Sequence, residues 1–384
     1  MAQYYRNPFN GQGYGDRKQV SLWLIVADAA MWMFTAVAVI SLVIVFIGRF
    51  VSPDRMWYFS LMGLVAPIIY VSVIFAMLYW IMRWKWLGAT VTGLFVLLGL
   101  FQVPLYYKLD LSKQYGDPKY DRTCIKVLTF NARYLVDDNH QPVADSVLQL
   151  VHALNPDIIC FQEYTLNSDT RNMMTDNMKG YNTVCDNLDP AVLSMECFTR
   201  YGTFNMRKIE DLGGTGVCIS TDAVINDDTV RIYNVHLQTT SVTSQDKEYI
   251  SHGEFISDST RDTRFIQIAR GLRENNALRA RQAEMIRNDI AACPYPAILC
   301  GDFNDVPVSY ACRTASRGLD DTFSRQGHSY AHTFRGFFNT LRIDYIFVSP
   351  DFETVSYDVI ETGDISDHYP VLVRLKQTSN NRNL

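Results

Sequence analysis

Six short segments carry side chains whose types and spacing could do chemistry. They are Asn131 in Thr129-Phe130-Asn131, Glu163 in Phe161-Gln162-Glu163, His236 in Tyr233-Asn234-Val235-His236, Asp302 and Asn304 in Gly301-Asp302-Phe303-Asn304, Asp344 in Arg342-Ile343-Asp344-Tyr345, and Asp367 and His368 in Ser366-Asp367-His368-Tyr369-Pro370. Five of them close or follow an apolar run and the Asp344 segment opens one, so each polar group stands at a strand end, where ligand-binding groups on α/β scaffolds collect. Taken singly, each has an ordinary explanation: a Glu after a strand is commonly a solvated loop residue, and Asp-x-Asn commonly caps its own turn. Taken together they supply two histidines, four carboxylates and the carboxamides of Asn131 and Asn304. That is the inventory for a hard cation, a water nucleophile and a phosphoryl group.

For these groups to meet, the chain between them must form a scaffold that returns each strand end to one place. Residues 124–130 (CIKVLTF) and 158–162 (IICFQ) read as strands, with a helix over 143–154 between them that Asn155-Pro156 stops. Residues 216–220 and 229–237 flank Asn226-Asp227-Asp228, a hairpin signal. The stretch 261–292 is helical, with Gly271 and Asn275-Asn276 expected to split it, and its interleaved arginines and acids read as a solvated, salt-bridged face. Strands follow at 297–300, 343–348 and 371–375, with a loop at 301–307.

The ordered series FNAR, QE, YNVHLQ, GDFNDVP, RIDYIF and SDHYPV resembles the endonuclease/exonuclease/phosphatase superfamily of divalent-metal phosphoesterases related to pancreatic deoxyribonuclease. The resemblance covers roughly residues 123–376 and implies an α/β fold, a four-layer α/β/β/α sandwich of two packed mixed sheets. It implies that Glu163 is the principal ligand of Mg2+ or Mn2+, with Asn131 beside it and Asp367 approaching from the last loop. Asp302 would orient or deprotonate the attacking water, and Asn304 would hold that water or a phosphate oxygen. His368, paired with Asp344, and His236 would bind the phosphate or transfer a proton. A carboxylate on one imidazole nitrogen has a clear purpose, since it fixes which nitrogen faces the substrate and favours the charged ring. Arg133 stands where some members carry an extra acidic metal ligand, which makes it either a substrate-phosphate contact or the partner of a nearby acid.

The first part of the chain reads differently. Residues 1–107 hold seven basic and three acidic residues, which leaves 28 basic and 37 acidic for 108–384. The windows 29–47, 56–82 and 86–107 lack any charge, and each reaches the roughly 20 residues needed to cross a bilayer as a helix. Aromatic residues such as Trp23, Trp57, Trp84 and Tyr107 crowd their ends, as in interfacial belts. The expectation is three transmembrane helices over 21–107 after a polar segment 1–20, a juxtamembrane linker 108–122, a catalytic domain 123–376 and a frayed tail 377–384. The chain is therefore expected to be a multi-pass membrane protein, whose first span favours an inside N-terminus and so a catalytic domain on the outer, periplasmic side. All eight cysteines lie beyond residue 123, with Cys185 and Cys197 the best candidates if any pair bonds.

The site implies a phosphate-ester substrate, and no protein partner is implied. The acidic balance of 108–384 argues against a sequence-independent electrostatic grip on duplex DNA. Three readings follow: a membrane-tethered phosphodiesterase or nuclease acting on a nucleic acid or nucleotide-like substrate, a phosphoesterase of lipid head groups or inositol phosphates, and a catalytically silent scaffold. The polar insertion 239–259 follows His236 directly and is expected to overhang the cleft.

Overall fold

The structure, a computed structural model, describes residues 21–108, 124–184, 195–209, 212–240, 261–336 and 339–378. Nearly all of the insertion read at 239–259 lies outside them. The chain divides into two compact units, residues 1–45 with 65–101, and residues 46–64 with 102–384.

Four helices precede residue 101: α1 (Leu22–Gly48), α2 (Pro53–Leu64), α3 (Ala66–Met82) and α4 (Trp86–Leu100). They correct the three-span, multi-pass expectation. With 27 residues, about 40 Å of helix, only α1 among the described residues is by itself long and apolar enough to cross a membrane. The window 56–82 is broken at Val65, and its first half belongs to the second unit. Pro67 explains the break, because a proline lacking its N–H is tolerated in a first turn but not in a helix interior. Helix α4 has 15 residues, about 22 Å, less than the roughly 30 Å hydrocarbon layer. Within the first unit, Arg83 pairs with Asp28 at 2.9 Å and the buried Trp80 donates to the Thr35 hydroxyl at 2.9 Å.

The second unit is built on two six-stranded mixed sheets. In chain order its strands are β1 (Tyr107–Lys108), β2 (Ile125–Asn131), β3 (Ile158–Gln162), β4 (Asn182–Thr183), β5 (Met195–Thr199), β6 (Thr203–Lys208), β7 (Val217–Ile225), β8 (Asp228–His236), β9 (Ala297–Asp302), β10 (Asp320–Asp321), β11 (Ser329–Tyr330), β12 (Asp344–Val348), β13 (Phe352–Val359) and β14 (Val371–Gln377). Its further helices are α5 (Ala144–Leu154), α6 (Ser168–Asn177), α7 (Arg261–Ala292), α8 (Tyr310–Ala315) and α9 (Thr322–Gln326). One sheet runs β13-β14-β2-β3-β5-β4 and the other β10-β12-β9-β8-β7-β6. Among the described strands, only β2 with β3 and β8 with β9 pair in parallel.

Strand periodicity sorts the side chains into layers. Val127, Ile158, Cys160, Ile232, Ile298, Cys300 and Ile346 face one shared core between the sheets. Their neighbours Leu128, Phe130, Ile159 and Phe161 face the other way, onto Val147, Leu148 and Val151 of α5 and Met174 of α6. Tyr233, Val235 and Leu299 pack on Ala283 and Ile286 of α7 and on α8. Strands buried on both faces read as continuous apolar runs rather than alternating ones, which is why the central strands were legible in the sequence.

Helix α7 is continuous, so Gly271 and Asn275-Asn276 do not split it. Its face is not uniformly solvated either: Arg279 is only 3% exposed. The hairpin expected at 226–228 turns through Asn226 and Asp227, both at positive φ, as a two-residue hairpin turn matched to strand twist requires. Cys185 lies outside the described residues, and Cys197 is a free buried thiol facing Cys160 across two strands.

Gly301 is the one glycine on which this layout turns. Its φ is +143°, and a Cβ there would collide with the Val235 backbone of the adjoining parallel strand. Gly301→Ala should therefore cost about 3 kcal/mol of unfolding free energy, read by chemical denaturation. Parent-like stability would show that β8 and β9 do not approach so closely.

Candidate active site

Register decides which side chains meet. Asn131 is paired with Gln162 at the carboxyl ends of parallel β2 and β3. In the other sheet His236 is paired with Asp302, and Asp302 with Asp344. Each sheet thus ends a parallel pair in polar residues. The two ends face each other: the Asn131 amide donates to Asp302 Oδ2 at 3.0 Å, and the Gln162 amide donates to Asn234 Oδ1 at 2.6 Å. The Asn234 amide in turn donates to the carbonyls of Phe161 and Glu196, each at 2.9 Å. All of these groups are buried, so each bond also spares an unpaired polar atom.

Asp302 is the hub. Its Oδ1 accepts from the Asn304 backbone N–H at 2.8 Å, and its Oδ2 lies 3.3 Å from the Asn304 amide, 3.7 Å from His236 Nε2 and 3.8 Å from His368 Nε2. The Asn304 amide also donates to the Leu237 carbonyl at 3.1 Å. His236 Nε2 is buried without a hydrogen-bond partner among the described residues and sits 3.5 Å from Glu163 Oε1. His368 comes from the loop before β14, with Nδ1 3.0 Å from Asp344 Oδ2. Burial by itself would lower the imidazole's pKa, but the carboxylates of Asp344 and Asp302 raise it well above the ordinary histidine value. Burial conversely lifts the Asp344 carboxyl, against the pull of His368.

Glu163 and Asn304 both adopt left-handed backbone conformations, with φ of 44° and 51°. Non-glycine residues reach this region at a cost, and such positions gather at functional sites. Backbone hydrogen bonds tie the Glu163 turn to the loop after β2: Ala132 N–H donates to the Gln162 carbonyl and Tyr134 N–H to the Glu163 carbonyl, at 2.7 and 2.5 Å. Asp367 is more open. Arg133 lies 3.9 Å from it, and Arg133 itself pairs with Asp138. The acid partner weighed for Arg133 is therefore present.

All nine residues singled out in the sequence thus lie at one mouth or its rim. Asp302, Asp344 and His368 also place ligand atoms within 4.8 Å of one another. Because Asp344 and His368 are already bonded to each other, a hard cation is better served by the freer oxygen of Glu163. Sequence reasoning missed the residues that hold these groups in place. Thr333 Oγ1 accepts from the Asp344 backbone N–H at 3.0 Å, the Phe334 ring lies 5.0 Å from the His368 ring, and Ser366 Oγ donates to the Asn131 carbonyl at 2.8 Å. Serines, threonines and phenylalanines on loops carry no signal of their own, although Ser366 stands in the SDHYP segment.

The profile of the Endonuclease/Exonuclease/phosphatase family matches residues 128–368, more than half of the chain. The chain belongs to this family. Family members are enzymes that act on phosphate esters. A second profile, a domain of unknown function (DUF8431), matches residues 28–106. Among solved structures, D. rerio TDP2 complexed with single strand DNA product is 12% identical, with 66% of this chain and 99% of that one aligned at a TM-score of 0.49. A Bacteroides thetaiotaomicron mannosyl-6-phosphatase, Bt3783, is 19% identical over 65% and 99% of the two chains at 0.46. The human Nocturnin catalytic domain is 17% identical over 67% and 95% at 0.45. A search of curated proteins found no match.

If Asp344 orients His368, Asp344→Asn should lower turnover of a phosphate ester roughly 100-fold while leaving the fold intact, read by steady-state kinetics beside circular dichroism. A variant as fast as its parent would make the pair purely structural.

Proposed function

We propose that this chain is a divalent-metal-dependent phosphodiesterase that uses water as nucleophile, with a nucleic acid or nucleotide-like phosphodiester as substrate. The observation that carries this reading is the convergence on Asp302 Oδ2 of Asn131, Asn304, His236 and His368, three of which come from chain segments other than its own. A structural ion pair needs one partner. Four polar neighbours at a strand-end mouth suit a nucleophile and a phosphoryl group instead.

The donor set fits a hard cation. Glu163 presents a carboxylate 21% exposed, Asn131 keeps a second lone pair on the oxygen that accepts from Arg133 N–H, and Asp367 faces out from the last loop. The orphaned His236 nitrogen beside two carboxylates marks the same spot as built for a missing partner. We assign Glu163, Asn131 and Asp367 to Mg2+ or Mn2+, which when bound polarises a phosphoryl oxygen and steadies the charge that develops on it.

The protein's own groups do the rest. Asp302, fixed by Asn131 and by the Asn304 backbone, accepts a hydrogen bond from the attacking water and orients it. Asn304 holds that water or a phosphate oxygen. Charged His368, aimed by Asp344, donates from Nε2 to the phosphoryl group or to the departing oxygen, and His236 donates from the opposite side. Donors placed before the reaction begins stabilise transition-state charge without reorganising. Arg133 at the rim meets a further phosphate oxygen.

The helix of crossing length, α1, supports a membrane tether, and a single crossing with the N-terminus inside puts the catalytic unit on the outer side. The tether also gives weight to a second reading, a lipid head-group or inositol phosphate ester as substrate. The two are separated by nicking of plasmid by the full chain with Mg2+ against release of a phosphorylated head group from detergent-dispersed phospholipid. If the first product forms and the second does not, the nucleotide reading stands, and the reverse overturns it. Failure on both and on bis(p-nitrophenyl) phosphate would leave the silent scaffold. Glu163→Gln should raise the Mg2+ concentration for half-maximal activity at least about tenfold, whereas an unchanged Mg2+ titration would remove Glu163 from the metal site.

A further inference from the structure

Arg279 is a buried cation with no place in the chemistry described so far. Its side chain reaches across the carboxyl ends of β8 and β9. One terminal nitrogen donates to the Asn304 carbonyl, to Thr240 Oγ1 at 2.6 Å and to the Gln238 carbonyl at 3.4 Å. Its Nε lies 3.7 Å from the buried carboxylate of Asp305. The guanidinium therefore holds both loops that leave the site, the one after His236 and the one through Asn304. Asn304 has a left-handed backbone, and a fixed carbonyl partner keeps its amide aimed at Asp302.

The other terminal nitrogen of Arg279 donates to Asn276 Oδ1, and the Asn276 amide donates to Ser60 Oγ of α2 at 2.7 Å. Ser60 Oγ donates in turn to the Trp57 carbonyl at 2.6 Å. Asn276, the middle of this relay, is 5% exposed, and Ser60 is half-buried. Helix α2 is seated closely. A Cβ on Gly63 would come 3.2 Å from Val306, two residues after Asn304, while Arg313 stacks over Phe50 at 4.1 Å and Arg281 faces Asp54 at 4.0 Å. The segment 46–64 follows the apolar helix in sequence yet belongs to the catalytic unit.

We propose that Arg279 is a positioning residue for the reaction, and that helix α2 completes the active site by bracing Arg279 through Ser60 and Asn276. Residues of the amino-terminal region are thus part of the support of the Asn304 and His236 loops. The proposal rests on the phosphoesterase reading for its kinetic consequence and on geometry alone for its effect on the loops.

The test uses the full chain in detergent with bis(p-nitrophenyl) phosphate and Mg2+, and compares the parent with Arg279→Lys, Ser60→Ala and Gly63→Leu. Lysine keeps the charge opposite Asp305 but lacks the fork that reaches two loops and Asn276 at once. Arg279→Lys should lower kcat about 100-fold with KM changed less than about threefold, as expected for a misplaced catalytic group. Ser60→Ala should lower kcat about fivefold, and Gly63→Leu, which pushes α2 off Val306, should exceed it. In parallel, hydrogen exchange of the amides of residues 237–240 and 303–306 should quicken in all three. A folded Arg279→Lys with parent kcat, or a loss carried wholly by KM, overturns the proposal. If Arg279→Lys does not fold, parent kcat and exchange in Ser60→Ala and Gly63→Leu overturn it equally. Should the parent itself hydrolyse nothing, the phosphoesterase reading falls, and exchange alone decides whether the brace exists: parent-like protection in the variants refutes it.

Discussion

Two sheets that share an apolar core are free to slide or rotate unless something directional fixes them, because hydrophobic burial has no preferred direction. Here the fixing is done by hydrogen bonds buried across the sheet interface, among them Gln162 to Asn234 and Asn131 to Asp302. Each joins the end of one parallel pair to the other. A slip of one residue in either sheet would break both bonds and leave four amide or carboxyl groups unpaired away from water, each at a cost of about 1 to 3 kcal/mol. The same bonds bring Asn131 and Glu163, on one sheet, opposite His236, Asp302 and Asp344 on the other. Sheet alignment and assembly of the site are one event.

From that constraint the electrostatics follow. Asp302 is 1% exposed, and its carboxyl oxygens are met by amide and backbone donors and faced by two imidazoles. His368 can hold a charge in a buried place because Asp344 lies against its other nitrogen and Asp302 lies nearby. Three carboxylates and two imidazoles gathered in a buried place are more than one ion pair requires, the kind of cluster that gathers at functional sites.

Much of this was legible in the sequence, for a physical reason. Chemistry-bearing residues at strand ends are out of keeping with the apolar runs they terminate, so Asn131, Glu163, His236, Asp302 and His368 stand out. The strands 158–162 and 297–300, the second of which runs on to Asp302, were readable because both of their faces are buried. Strands β5 and β6 were not read, since Met195–Thr199 carries the buried Glu196 and Thr203–Lys208 is a half-exposed edge. Arg279 was read as one more solvated arginine of α7, because spacing along a helix cannot reveal which turn lies against a loop from elsewhere. The membrane reading erred at Val65 for a related reason: an uncharged run has the composition of a span whether or not the helix is continuous, and only Pro67 hinted at the break.

A metal-soaked crystal of the full chain, measured at the manganese absorption edge, would examine the convergence directly. One anomalous peak should lie within about 2.5 Å of the Glu163 carboxylate, in the mouth between the ends of β3 and β9. A peak confined to another part of the molecule, or none at saturating Mn2+, would contradict the reading of this mouth as a catalytic metal centre.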